Sequence, residues 1–281
     1  MVPLRWISIF IAAGVLASAA SCSRSRKAKP DSDPNGIAGS QPSPAQSQFL
    51  QNPGYRGARR LTPTAGVSYR KVNIQEPYIA MTFDDGPHKT NTPRLLDILR
   101  ARNIRATFYV LEPRVKLYPH IMQRIIAEGH EIGNHTITHR NLSKLSDQAI
   151  RHELRQTHNA IVAATGVPPQ TMRPPFGALQ TRQREMIRRE FGYPAIFWSV
   201  DPEDWKKPGV GVVTRRLIDG AKPGGILLAH DLHASTISAV PGAVDGLLRR
   251  GFRFVTVSEL INLEQQMQGP PRLASADAPP F

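Results

Sequence analysis

The chain has 281 residues, 40% of them apolar and 21% charged, so it can bury one sizeable core and is neither a collagen, a coiled coil nor a wholly disordered protein. Its net charge is +14 and its only cysteine is Cys22, which excludes an intrachain disulfide framework and leaves stability to the core. The basic residues are spread rather than clustered and no nucleic-acid motif accompanies them, so anionic polymers or lipid headgroups are the expected neighbours, not DNA or RNA.

Residues 1–21 read as a secretory signal peptide: Arg5 supplies a thin positive region, Ile7 to Leu16 an apolar stretch too short to span a bilayer, and Ala17 to Ser21 small residues for cleavage. Ala19-Ala20-Ser21-Cys22 resembles a bacterial lipobox that lacks the usual first Leu. The resemblance implies a lipidated Cys22 and a membrane anchor in the bacterial cell envelope; ordinary cleavage after Ala19 is the alternative. Residues 22–66 are Ser-, Pro-, Gln- and Gly-rich and read as a disordered basic tether, with seven Lys/Arg against two Asp, leaving about +8 on 67–281. Residues 266–281, rich in Ala and Pro, read as a flexible tail.

Between 67 and 265, strand-like apolar runs alternate with amphipathic stretches. Strands are expected at 78–83, 106–111, 130–134, 171–174, 194–199, 225–229 and 252–256. Helices are expected near 92–102, 119–128, 146–165, 178–191, 212–219, 236–250 and 257–266, with Thr92 and Ser146 as caps. Seven β/α repeats point to a single α/β catalytic domain, a distorted (β/α)7 barrel, with an open α/β sheet as the alternative. In such folds reacting groups gather where strands end. Asp84-Asp85, His135, Arg173, Asp201 and His230 all follow expected strands, so one rim should carry them.

Each motif has a chemical reading. Asp84-Asp85, before Gly86-Pro87, places two repelling carboxylates at a strand end, where a cation or proton must compensate. His135 and His139, four apart, can share a metal ion from a loop running into one helical turn, and a carboxylate from Asp84-Asp85 completes a three-ligand site. Arg173, stiffened by Pro174-Pro175, can hold the remaining carboxylate, with a backbone N–H at Phe176 or Gly177 as oxyanion donor. His230 ends a buried strand, and a carboxylate such as Asp201 would orient it as a general acid.

In order, TFDDGP, HTITHRNL, RPPFG, DPEDW and LLAHD resemble the motifs of the NodB-homology polysaccharide deacetylases, carbohydrate esterase family four, over 78–260. The resemblance implies a distorted seven-stranded (β/α) barrel and a metal triad of Asp85, His135 and His139. It further implies Asp84 as general base held by Arg173, and His230 as general acid tuned by Asp201. Trp205 and Leu228 would wall the acetyl pocket, and Phe176, where many members have Tyr, would supply the backbone oxyanion donor. The implied cofactor is one divalent metal, zinc first, with cobalt, nickel or manganese as alternatives. The implied activity is removal of N-acetyl groups from an amino-sugar polymer of the envelope by a monomer. Peptidoglycan is the first expectation, chitin oligomers or poly-N-acetylglucosamine the next, and glycan binding without turnover the alternative in another class. His88 and His233 lie close enough to the rim in sequence to be left open as substrate contacts.

Overall fold

The computed structural model describes residues 61–62 and 64–268. The expected signal peptide, the Cys22 anchor, most of the tether and the end of the tail lie outside the described residues. The tether's last residues do not hang free. Leu61 donates its N–H to Gln170 at 2.6 Å, and Ala65 is buried in a core cluster with Val72, Val257 and Ile261. The folded unit therefore reaches back at least to Leu61, six residues before the expected boundary.

Seven strands are described: β1 (Ser68–Tyr69), β2 (Tyr78–Gly86), β3 (Thr107–Val110), β4 (Glu131–Asn134), β5 (Ala195–Ile196), β6 (Ile226–His230) and β7 (Arg253–Phe254). Helices intervene: α1 (Asn91–Arg100), α2 (Glu112–Leu117), α3 (Pro119–Ala127), α4 (Asp147–Thr165), α5 (Thr181–Phe191), α6 (Val210–Gly220), α7 (Ala234–Arg249) and α8 (Val257–Gln268). All strand pairs are parallel. β2 lies at the centre, between β3 and β6, and β4 follows β3. Single bridges carry the pairing from Asn134 to Met172, from Met172 to Ala195, and from Val200 to Leu227 on β6. The pairing thus travels around a distorted (β/α) barrel and returns to β2, as expected.

The run expected as a strand at 171–174 contributes one bridge residue, Met172, because Pro174-Pro175 has no N–H with which to continue a ladder. Its place in the count is taken by β1, too short to stand out in the sequence. Helix α2, also unexpected, begins with Pro113 in its first turn. Ser146 caps α4 as expected, accepting from the Ala149 N–H. Thr92 is no cap: Thr90 precedes α1, and the buried Thr92 hydroxyl bonds Asp231 while accepting from the His88 N–H at 2.6 Å.

Strand alternation sorts β2 into two faces. Ile79, Met81 and Phe83 pack outward in a core shared with Leu95 and Leu99 of α1 and Val240 and Val244 of α7. Ala80, Thr82 and Asp84 turn into the barrel, where Ala80 meets Tyr109, Ile196 and Ile226. The barrel interior is also polar. Arg173 is the largest fully buried side chain, its guanidinium carbon 4.3 Å from the centre of the Tyr109 ring. Deeper in, Tyr109 and Thr171 share a 3.1 Å hydrogen bond, and Glu131 accepts from Thr107, Thr171 and Ser258.

Candidate metal and catalytic centre

β2 does not end at Asp84. It runs to Gly86 with a register shift between Asp84 and Gly86, and Asp85 sits in that bulge at φ 73°. The bulge turns two consecutive carboxylates toward one place, which strand alternation alone would forbid. Gly86 allows it, because a Cβ there would run into the carboxylate of the wholly buried Asp231. Burial raises the Asp231 pKa to about 7, beyond what its hydrogen bond from Thr92 lowers.

Asp84 is 3% exposed, and its Oδ1 accepts from Arg173 Nη1 at 2.7 Å. The same Nη1 reaches Thr82 Oγ1 at 2.7 Å, while Nε and Nη2 donate to the carbonyls of Ile196 and Phe197. With the fork anchored at every side, one carboxylate oxygen is tied and the other faces His135 Nε2 at 3.7 Å.

His135 and His139 come from the loop after β4, which forms no helical turn. Thr136 and His139 adopt φ 77° and 53° instead, the former strained for a β-branched residue. The loop is held by Glu153, a buried acid on the core face of α4, which accepts from the N–H groups of Ile137 and Thr138 and from the Thr138 hydroxyl. The only sequence signal for this role is a carboxylate at helical spacing among Ile150, Leu154 and Ile161. His135 Nδ1 lies 2.7 Å from the Arg173 carbonyl, so it carries the proton and leaves Nε2 bare for a cation.

Asp85 Oδ1 is 3.4 Å from Nε2 of both His135 and His139, and that buried oxygen has no hydrogen-bond partner. Donors about 2.1 Å from one tetrahedral ion lie roughly 3.4 Å apart. Burial pushes the His135 pKa down, yet Asp84 and Asp85 outweigh it and hold the pKa above the usual value. Burial likewise raises Asp85, but the closeness and charge of His135 and the charges of His139 and His230 keep it low. Spacing, orphaned oxygen and field all fit a divalent cation at Asp85, His135 and His139.

Across the site, His230 Nδ1 bonds Asp204 Oδ1 at 2.8 Å, and Asp204 Oδ2 accepts from the His230 N–H and the Thr236 hydroxyl. Asp204, fully buried, therefore occupies the position expected of Asp201. Asp201 is exposed at the cleft, and its Oδ1 accepts from the Glu203 N–H at 2.8 Å, which ties off the turn delivering Asp204. The aspartate nearest the expected strand is the wrong one because the chain must first turn through Glu203, at φ 53°, before a side chain can point back. Burial lowers the His230 pKa, but the Asp204 hydrogen bond and charge, aided by Asp84 and Asp85, raise it to about 9.

Asp84, Asp85, His135, His139 and His230 line one cleft of about 450 Å³, with Phe176, Trp198, Asp201, Trp205, Leu228 and His233 as its other walls. His233 is thus at the cleft. His88 is not among its walls; its Nδ1 accepts from the N–H groups of Thr90 and Asn91 at the start of α1.

A family model described as polysaccharide deacetylase matches residues 71–196. A peptidoglycan-N-acetylglucosamine deacetylase of Listeria monocytogenes is 40% identical over 67% of this chain, which spans only 40% of that relative's length. A peptidoglycan-N-acetylglucosamine deacetylase of Bacillus cereus is 36% identical over 72% of the chain and 96% of its own length. A solved structure described as a T48 deacetylase with substrate superposes with a TM-score of 0.63 at 42% identity, covering 66% of this chain and 92% of that one. With 96% of a 36%-identical relative covered and the same barrel in the solved structure, the chain belongs to the polysaccharide deacetylase family.

Proposed function

We propose that the protein hydrolyses N-acetyl groups of an amino-sugar polymer in the bacterial envelope, with the N-acetylglucosamine of peptidoglycan as the first substrate. The observation that carries this reading is the convergence, in one cleft, of an arginine-tied carboxylate, a three-donor cation site and a carboxylate-paired histidine. The similar proteins named for peptidoglycan support the polymer, and an exported, lipid-anchored monomer would place the site beside it.

Asp85, His135 and His139 would hold the metal, zinc before cobalt, nickel or manganese. Bound there, such a cation supplies Lewis acidity and lowers the pKa of water. Asp84, with Oδ1 held by Arg173, takes the proton of the attacking water on its other oxygen. The Phe176 N–H donates to the oxygen that gains charge as the acetamide carbon becomes tetrahedral. His230, oriented through Nδ1 by Asp204, delivers its Nε2 proton to the departing amine. Leu228 and Trp205 bound the space for the acetyl methyl group.

The test is acetate release by the metal-stripped protein resupplied with zinc, on peptidoglycan and N-acetylglucosamine oligomers in parallel. Asp84→Asn is expected to bind one zinc yet lose turnover by about 10²-fold or more, whereas His135→Ala loses the zinc. Full activity in the asparagine variant would overturn the base assignment. Zinc uptake with no acetate from either polymer would leave the site assignment standing but the substrate wrong, and no zinc uptake at all would point instead to glycan binding without turnover.

A further inference from the structure

We infer that the ring of Phe176 is a stacking platform for a sugar next to the reacting acetamide, a role that rests on the acetylated-glycan reading but is separate from that of its backbone N–H. The backbone at Phe176 is left-handed, φ 60° and ψ 9°, which is costly for an aromatic residue. Gly177 follows at φ 64°, where a Cβ would lie 3.2 Å from the Trp198 ring. The turn thus uses glycine where a side chain would crowd the fold, and keeps a large one at the strained position beside it.

That side chain adds nothing to the core. At 67% exposed, Phe176 is the most exposed large apolar residue among those described, and it stands on the wall of the catalytic cleft. Its ring meets that of His139 at 69° with centroids 4.7 Å apart. An aromatic ring steadied by one neighbour and open to the cleft matches the apolar C–H face of a pyranose. The hydroxyl edge of the same sugar can meet Asp201 and His233, polar side chains on the same cleft. A ring that only sheltered His139 would gain nothing from so much exposure. Strain, exposure and position together are accounted for by a ligand that covers the ring.

The test uses the full zinc-loaded chain with Phe176→Ala, Phe176→Gly and Phe176→Tyr, all of which keep the backbone N–H. On an N-acetylglucosamine tetramer, Phe176→Ala is expected to raise KM about ten-fold with kcat within about three-fold, zinc stoichiometry intact and Phe176→Tyr restoring the wild-type KM. Phe176→Gly should lose affinity equally while its melting temperature rises, because glycine relieves the left-handed strain. An unchanged KM, or a loss of zinc in Phe176→Ala, overturns the platform and assigns the ring to His139. If the wild type releases no acetate, the hydrolytic reading fails by itself. Calorimetric binding of the tetramer to wild type and Phe176→Ala then decides the platform: weaker binding in the variant supports it, and equal or absent binding overturns it.

Discussion

At the scale of single residues, the pairing of His230 with Asp204 is one whose energy pH can reveal. The His230 pKa of about 9 in the fold compares with about 6.5 in an unfolded chain. A folded pKa above the unfolded one stabilises fully below pH 6.5, and the contribution is lost as pH rises through 9. In metal-free protein this amounts to about 3 kcal/mol. Urea midpoints of wild type should therefore fall between pH 6 and 10, and Asp204→Asn should flatten that fall. The same variant should lose about 10²-fold or more in turnover, because the histidine loses both orientation and charge support. Asp201→Asn should keep the wild-type fall of the urea midpoint with pH, because Asp201 accepts from the Glu203 N–H and not from His230; a flattened fall there would return the tuning role to Asp201.

Loops and strand ends are the next scale, and here the site depends on residues with no chemistry of their own. Glu153 of α4 holds the loop carrying His139 through three hydrogen bonds. Glu153→Ala removes the acceptor of all three hydrogen bonds, so zinc affinity should drop about 10- to 100-fold with the fold intact, as competition with a chelator would read. At the other edge of the triad, Gly86 leaves room for the Asp231 carboxylate beneath the Asp85 bulge. Gly86→Ala should cost about 1–3 kcal/mol in denaturant unfolding, since the added methyl must displace that carboxylate or the strand. A neutral result would mean that the bulge is softer than its burial implies.

For the molecule as a whole, the barrel interior is a polar column rather than an oil drop. It runs from Glu131 and Ser258 at the start of α8, through Thr171 and Tyr109, to Arg173, Thr82 and Asp84 at the rim. Because every partner in the column is tied to another, the Asp84 carboxylate is positioned by the surrounding fold, and not by its own strand alone. The cation site completes that arrangement from outside. Zinc at about 100 times its dissociation constant should stabilise the folded protein by about 2.7 kcal/mol, a melting shift of roughly 5–10 °C. His135→Ala should abolish most of that shift in a calorimetric scan, and an equal shift in the variant would move the ion elsewhere.

The sequence by itself determined which residue types meet. Asp-Asp at a strand end, His at a spacing of four, Arg before two prolines and a strand-terminal His each follow a buried apolar run, so a parallel α/β fold had to gather them on one rim. Most helices and strands were legible for the same reason, since amphipathic and apolar periods are local. Tertiary structure alone decided which of neighbouring candidates does the work. Asp204 and not Asp201 reaches His230, because a left-handed turn at Glu203 reverses the chain first. Glu153 became a support for the metal loop, and Phe176 an exposed ring, through φ angles and contacts that no local pattern encodes. Spacing along the chain tells which groups are near the rim; direction comes only from a backbone held in strained conformations by the rest of the barrel.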